Sequence, residues 1–162
     1  MSDIGFGDDD VVALVVREAR LIDEARWDDW YALYAEDALY WVPLVHGQAD
    51  GEDHTSLMYE DKLLLRIRIE RFSNPRSYSL RPPVRCQHVL QRPEVDESDP
   101  VAGRWVTRTS QLYVEAQGER QTVLAATVRH TVVRIDRALR IRQKRIDMLN
   151  CDAALPSIQL FQ

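Results

Sequence analysis

The sequence predicts one α+β domain in which a strongly curved, mainly antiparallel sheet wraps around a long N-terminal helix. Three observations lead there. Val11, Leu14, Val15, Ile22 and Ala25 recur at three- and four-residue steps, which puts one face of a first helix on a core. Trp27, Trp30, Tyr31 and Tyr34 then repeat the helical spacing with aromatic residues, directly ahead of the strand-like run Leu39-Tyr40-Trp41-Val42. From Val84 onward the chain reads as consecutive strands joined by tight turns, so helices come first and an antiparallel sheet follows. At 162 residues the chain suits one well-buried core, and residues 1–162 are expected to form a single domain.

Each element has its own local reason. Asp8, Asp9 and Asp10 suit a helix N-terminus, where carboxylates meet free amides and oppose the dipole, and the first helix should run from there to about Ala25. The aromatic helix should break at Glu36-Asp37, and the strand after it should stop at Pro43. Residues 44–56, with Gly47 and Gly51 and no periodicity, read as a long exposed loop. Residues 57–72 carry both periods: Leu65, Ile67 and Ile69 alternate with charged residues, while Leu64, Arg68 and Arg71 keep helical spacing. The helix formers Lys62, Leu63, Leu64 and Arg66 favour a helix. Asn74-Pro75 and Pro82-Pro83 bar regular structure from residues 73–83. Val84, Cys86, His88 and Leu90 then share one strand face, with Arg85, Gln87 and Gln91 on the other. Further strands are expected over about 104–115, 121–135 and 139–149, with turns at Gln117-Gly118-Glu119 and Asp136-Arg137-Ala138. Leu155, Ile158, Leu160 and Phe161 end the chain without a charge after Asp152, and such a segment either covers a sheet edge or docks on another subunit.

Composition narrows function. A formal charge of −5 argues against a nucleic-acid or anionic-membrane partner. No positively flanked apolar leader and no membrane-length apolar run occurs, so a cytoplasmic location is expected. Cys86 and Cys151 form no C-x-x-C pair and read as two reduced thiols. No C-x-H…C-x-x-H pair for a Rieske cluster, no G-x-G-x-x-G or P-loop, and no Ser or Cys nucleophile elbow is present. The chain by itself is therefore expected to carry no cofactor, no metal and no catalytic residue.

The run from Glu18 to Pro43, E-A-x-L-I-D-x-x-x-W-D-x-W-x-x-L-Y-x-E-D-x-x-Y-W-V-P, resembles the small (β) subunit of aromatic-ring-hydroxylating dioxygenases, a branch of the NTF2-like superfamily. Leu57-Met58-Tyr59-Glu60-Asp61, Arg85-Cys86-Gln87-His88-Val89-Leu90 and Arg140-Ile141-Arg142-Gln143-Lys144-Arg145-Ile146-Asp147 follow in that family's order. The resemblance implies an NTF2-like cone and supports the helix over 57–72. It also implies a non-catalytic subunit that forms a homotrimer and supports three α subunits carrying the Rieske [2Fe-2S] cluster and the mononuclear iron.

Inside such a cone, Glu18 and Asp23 fall within the apolar arc of the first helix, and buried carboxylates need partners. Glu18 is expected to pair with an arginine such as Arg85 or Arg108. Asp23 and Arg85-Cys86-Gln87-His88 are similar to pocket positions of scytalone dehydratase, in the same superfamily. An Asp-oriented His88 could then act as a general base. Where that enzyme has a second histidine, this chain has Ser110-Gln111-Leu112, so the expected reading is a satisfied Asp23–His88 pair inside a filled cone. A free-standing dehydratase or isomerase using Asp23 and His88, or a small-ligand-binding module, is the alternative. His46, His54, Asp50, Glu52 and Asp53 superficially supply the ligands of a two-His-one-carboxylate iron, but a glycine-punctuated loop holds ligands poorly and a solvated acidic loop is expected. His130 is expected to be a satisfied sheet residue.

Overall fold

The computed structural model describes residues 5–155 and 158–162. Helix α1 (Asp8–Asp23) begins where Asp10 accepts a 2.8 Å hydrogen bond from the Gly7 amide. It ends at Asp23, ahead of Ala25, whose φ of 53° is left-handed, while the Arg26 amide closes back onto the Leu21 carbonyl at 2.9 Å. Helix α2 (Trp27–Ala32) leads into strand β1 (Tyr34–Pro43), then β2 (Ser56–Asp61) and helix α3 (Lys62–Phe72). Strands β3 (Val84–Leu90), β4 (Glu94–Asp99), β5 (Arg104–Gln117), β6 (Arg120–Ile135) and β7 (Ala138–Met148) complete the chain.

The sheet order is β2-β1-β7-β6-β5-β3, with β4 pairing the other end of the same β5 edge. All pairings are antiparallel except β1 with β7. On β5, Trp105, Thr107, Thr109, Gln111, Tyr113 and Glu115 point inward in strict alternation, and on β6 Leu124, Ala126, Val128, His130 and Val132 do the same. This concave face closes on α1 through Leu21 and Ile22, and on α3 through Leu65 and Ile69. The α+β cone with N-terminal helices is as expected.

Several boundaries differ from the sequence expectation. The aromatic helix ends at Ala32, so Tyr34 starts β1, and Glu36-Asp37 lie exposed in a register shift of that strand between Tyr34 and Leu39 instead of breaking a helix. Pairing with β7 decides this, a contact that local propensity does not contain. The mixed period of residues 57–72 resolves into two elements. Leu57 and Tyr59 face out along β2 and Met58 packs inward; Asp61 then caps α3 by accepting the Leu64 amide at 2.9 Å. The loop 44–55 is built around a buried Gln48. Its side-chain oxygen accepts the Leu44 amide at 3.0 Å, and its Nε2 donates to the Asp50 carbonyl at 2.9 Å and to Ser56 Oγ at 3.1 Å. Gly51 lies against the Tyr59 ring where a Cβ would come within 2.2 Å of it, so any larger residue would have to push that ring aside. A short 3₁₀ turn (Tyr78–Leu80) interrupts residues 73–83. Strand β4, whose Val95 is the only apolar residue in Glu-Val-Asp-Glu-Ser-Asp, has no legible pattern and is held by its backbone pairing to β5. Among the described residues no helix is long and apolar enough to cross a membrane.

The C-terminal segment also departs from expectation. Phe161 is 1% exposed and belongs to the core of its own chain, not to a surface awaiting a neighbour. The cone has room between α2, α3 and β1 that the chain's other residues leave unfilled, and intramolecular burial carries no association cost.

Candidate functional site

Two polar constellations lie inside the cone, both anchored by α1. The first centres on Glu18, 1% exposed. Its Oε1 accepts hydrogen bonds from Lys144 Nζ at 2.7 Å, Tyr34 Oη at 3.0 Å and Trp30 Nε1 at 3.1 Å. Its Oε2 faces His130 Nε2 at 3.9 Å, too far for a hydrogen bond. The partner is therefore a lysine from β7, not Arg85 or Arg108. Arg108 points to the outer face and pairs with Glu94 at 2.9 Å and Asp96 at 3.4 Å, and Arg85 lies on the outward side of β3. Lys144 points inward because β7 carries a bulge. Ile141 pairs with Val132 and Gln143 with Thr131, which leaves Arg142 as an extra residue and reverses the alternation beyond it. Ile141 and Ile146 are both fully buried although five residues apart, an odd spacing that a regular strand cannot place on one face. That spacing is the sequence signal that could have revealed Lys144.

Burial alone would raise the Glu18 pKa. The Lys144 ammonium overrides it, and the carboxyl lies well below the usual carboxylate range. Burial likewise pushes His130 down, against the pull of Glu18, so the imidazole is neutral. His130 is thus buried beside the Glu18 network but not satisfied as expected, since neither ring nitrogen has a hydrogen-bonding partner among the described residues.

The second constellation joins Asp23 to β3. The Asp23 carboxylate accepts the His88 backbone amide at 3.0 Å and His88 Nδ1–H at 2.6 Å, and the Cys86 thiol points at it from 3.7 Å. The carboxylate fixes the Nδ1–H tautomer, leaving Nε2 as a buried nitrogen without a partner among the described residues. The Tyr113 ring packs edge-on against the imidazole at 5.2 Å. Burial, and then Asp23, push the Cys86 thiol up to about 12, so it is protonated and a poor nucleophile. Gln111 points inward from β5, beside Leu90 of β3, and its Nε2 also has no partner among the described residues. The expected Asp23–His88 pair is thus present, and Ser110 faces outward.

Asp23, Cys86 and His88 place a carboxylate oxygen, a sulfur and a nitrogen within 4.8 Å of one another, as do His46, Cys151 and Asp152. A Rieske cluster takes two cysteines and two histidines. The two cysteines stand in different groups, so neither group fits one. The imidazoles of the 44–55 loop also turn to different carboxylates, His54 to Asp50 at 3.3 Å and His46 to Asp152 at 3.9 Å.

A cavity of about 730 Å³ opens beside Asp23 and Cys86, walled by Trp27, Phe72, Arg85 and Leu160. An outer concavity of about 540 Å³ lies across β3, β5 and β6, with Val89 and Leu112 on its floor.

Residues 17–153 match the family described as the ring hydroxylating beta subunit. The chain belongs to that family. Among curated relatives of this β-subunit chain, the 2-halobenzoate 1,2-dioxygenase small subunit of Burkholderia cepacia is 36% identical over 93 residues, 54% of this chain and 56% of that one. The small oxygenase component of the p-cumate 2,3-dioxygenase system of Pseudomonas putida is 29% identical over 153 residues, 91% of this chain and 81% of that one. Against the benzoate-type relatives the match spans about half their length. The β subunit of benzoate 1,2-dioxygenase from Burkholderia mallei superposes with a TM-score of 0.75 at 24% identity, over 99% of this chain and 100% of that one. An NTF2-like protein with a cystatin-like fold from Novosphingobium aromaticivorans superposes at 0.60 with 16% identity, over 88% and 81% of the two chains. The fold of this β subunit is therefore NTF2-like.

The Asp23–His88 pair is tied into backbone and thiol hydrogen bonds. Replacing His88 with Gln should lower stability by roughly 1–3 kcal/mol through the lost charge-assisted bond. It should leave ring hydroxylation by an assembled enzyme within twofold, read by oxygen consumption. A general base would instead lose about 10²–10⁴-fold.

Proposed function

We propose that this chain is the non-catalytic small subunit of an aromatic-ring-hydroxylating dioxygenase, trimerising and giving the catalytic α subunits a rigid base. One observation carries the reading: in a chain of the β-subunit family, the buried charges are engaged with one another, Glu18 with Lys144 and Asp23 with His88, Cys86 and backbone. Such an interior supports a frame, and the redox centres, a Rieske [2Fe-2S] cluster and a mononuclear iron, belong to the α partner. The assembly is three α and three β subunits. A heterologous contact repeated about a threefold axis closes without leaving an unpaired surface. The trimer contact does not involve Phe161, which is already buried in its own chain. The outer sheet face, with Val89, Leu112 and Val123 exposed, is available for it. The cytoplasm suits the two reduced cysteines.

The relatives named for 2-halobenzoate, benzoate, toluate and p-cumate dioxygenases make aromatic carboxylates the first substrates to assay. The purified chain should be colourless and inactive, and hydroxylation of benzoate should appear only after an α subunit with a C-x-H…C-x-x-H motif is supplied. Stoichiometric iron in the isolated chain by elemental analysis, or a monomer by light scattering at high concentration, would count against the reading. The dehydratase alternative predicts turnover of a small hydroxylated ketone by the chain alone, lost in His88→Gln.

A further inference from the structure

Residues 158–162 occupy the cone as a peptide occupies a receptor. They form neither helix nor strand and join no strand pairing. Their fixings come from the framework. The Phe161 ring stacks on Trp30 at 4.3 Å and meets Tyr40 at 5.5 Å, Phe72 at 5.7 Å and Trp27 at 6.0 Å, a cage drawn from α2, β1 and α3. The consecutive amides of Gln159 and Leu160 both donate to the Glu115 carboxylate, at 3.0 and 2.9 Å. Glu115 is only 5% exposed and is held from its own strand by Tyr113 Oη at 2.7 Å. At the far end the Gln162 amide donates to Tyr40 Oη at 2.9 Å, and the Gln162 main-chain oxygen accepts from Tyr40 Oη and from Lys144 Nζ.

These groups specify a ligand class: an aromatic side chain, two successive backbone N–H groups on its N-terminal side, and a carbonyl on its C-terminal side. That is a short peptide. Four aromatic faces around one ring are the chemistry of an anchor pocket, and a carboxylate reading two adjacent amides fixes chain direction. The site also has an entrance, because the 730 Å³ cavity shares Trp27 and Phe72 with the cage and is bounded by Leu160.

We propose that the cone of this chain is a binding site for an aromatic-anchored peptide segment, occupied in cis by its own residues 158–162. The occupant is held by side-chain capture, three amide contacts and the contacts of Tyr40 and Lys144 to its last main-chain oxygen, with no strand or helix to unzip, so it exchanges with free peptide of the same chemistry.

The test uses the full chain and a fluorescein-labelled peptide of residues 155–162, beside a control peptide with Ala in place of Phe. Phe161→Ala empties the cage, and Gln159→Pro removes one amide that Glu115 reads while keeping every aromatic ring. By fluorescence anisotropy, either variant should bind the Phe peptide at least tenfold more tightly than the unaltered chain, whose own segment competes, and should bind the control peptide at least tenfold more weakly. The Phe peptide should also raise the thermal midpoint of the variants, which reports binding even where a variant is partly unfolded at rest. Variants that bind neither peptide and gain no thermal stability, or that bind both alike, would overturn the proposal. The measurement involves no α subunit, so its outcome is independent of the scaffold role.

Discussion

Replacing Lys144 with Met should destabilise the folded chain by about 3–5 kcal/mol, because it leaves the Glu18 carboxylate buried with its ion partner gone. The remaining donors, Tyr34 and Trp30, are neutral and cannot balance the charge. Removing both charges with Glu18→Gln and Lys144→Met together should recover much of the loss, since a neutral pair of similar volume has no uncompensated charge. Urea titrations of the four proteins check this; equal losses in the single and double variants would show that packing, not the ion pair, is at stake. The same network sets a pH dependence. Both His130 and Glu18 have folded pKa values below their unfolded ones, so each contributes stability above its unfolded value and loses it as pH falls through the folded value. His130 acts first, below its ordinary 6.5, because the imidazole is buried neutral and the unfolded chain takes up the proton more readily. Glu18 follows below its ordinary 4.5, as unfolding frees a carboxylate that the Lys144 ammonium holds ionised. The unfolding free energy should therefore fall between pH 6.5 and 4.5 and more steeply below, and His130→Leu should remove the first part only.

Phe161→Ala should cost about 3–5 kcal/mol, the range for deleting a fully buried phenylalanine. Its ring contacts four aromatic side chains of α2, α3 and β1, so the cavity left behind has rigid walls that collapse little. If the residue is internal, light scattering should give the same oligomer for the folded variant as for the unaltered chain, while its thermal midpoint drops. Loss of the oligomer with an unchanged monomer fold would instead make the segment an interface.

What the sequence determined by itself is the part written in local periods. The three- and four-residue steps from Val11 to Ile22 place one face of α1 on the core, and alternation along β3 puts Cys86 and His88 on the concave side facing that helix. Glycine and charge at residues 117–119 mark the β5–β6 hairpin, where Gly118 takes a φ of 61°. The inward carboxylates Glu18 and Asp23 were legible for the same reason, since a helical wheel shows which side chains go inside. A wheel does not show what they meet there. The partner of Glu18 depends on a bulge at Arg142 that shifts β7 by one residue and turns Lys144 inward, and period-two reading fails at a bulge. His130 borders the network only because β6 sets it beside Lys144. The start of β1 rests on backbone pairing with β7, far along the chain, and β4 on hairpin pairing with β5, which leaves no mark in the side-chain pattern of a strand exposed on both faces. The fate of Phe161 was decided in the same way. An apolar terminal segment states that it must be buried, and only the unfilled space between α2, α3 and β1 states where.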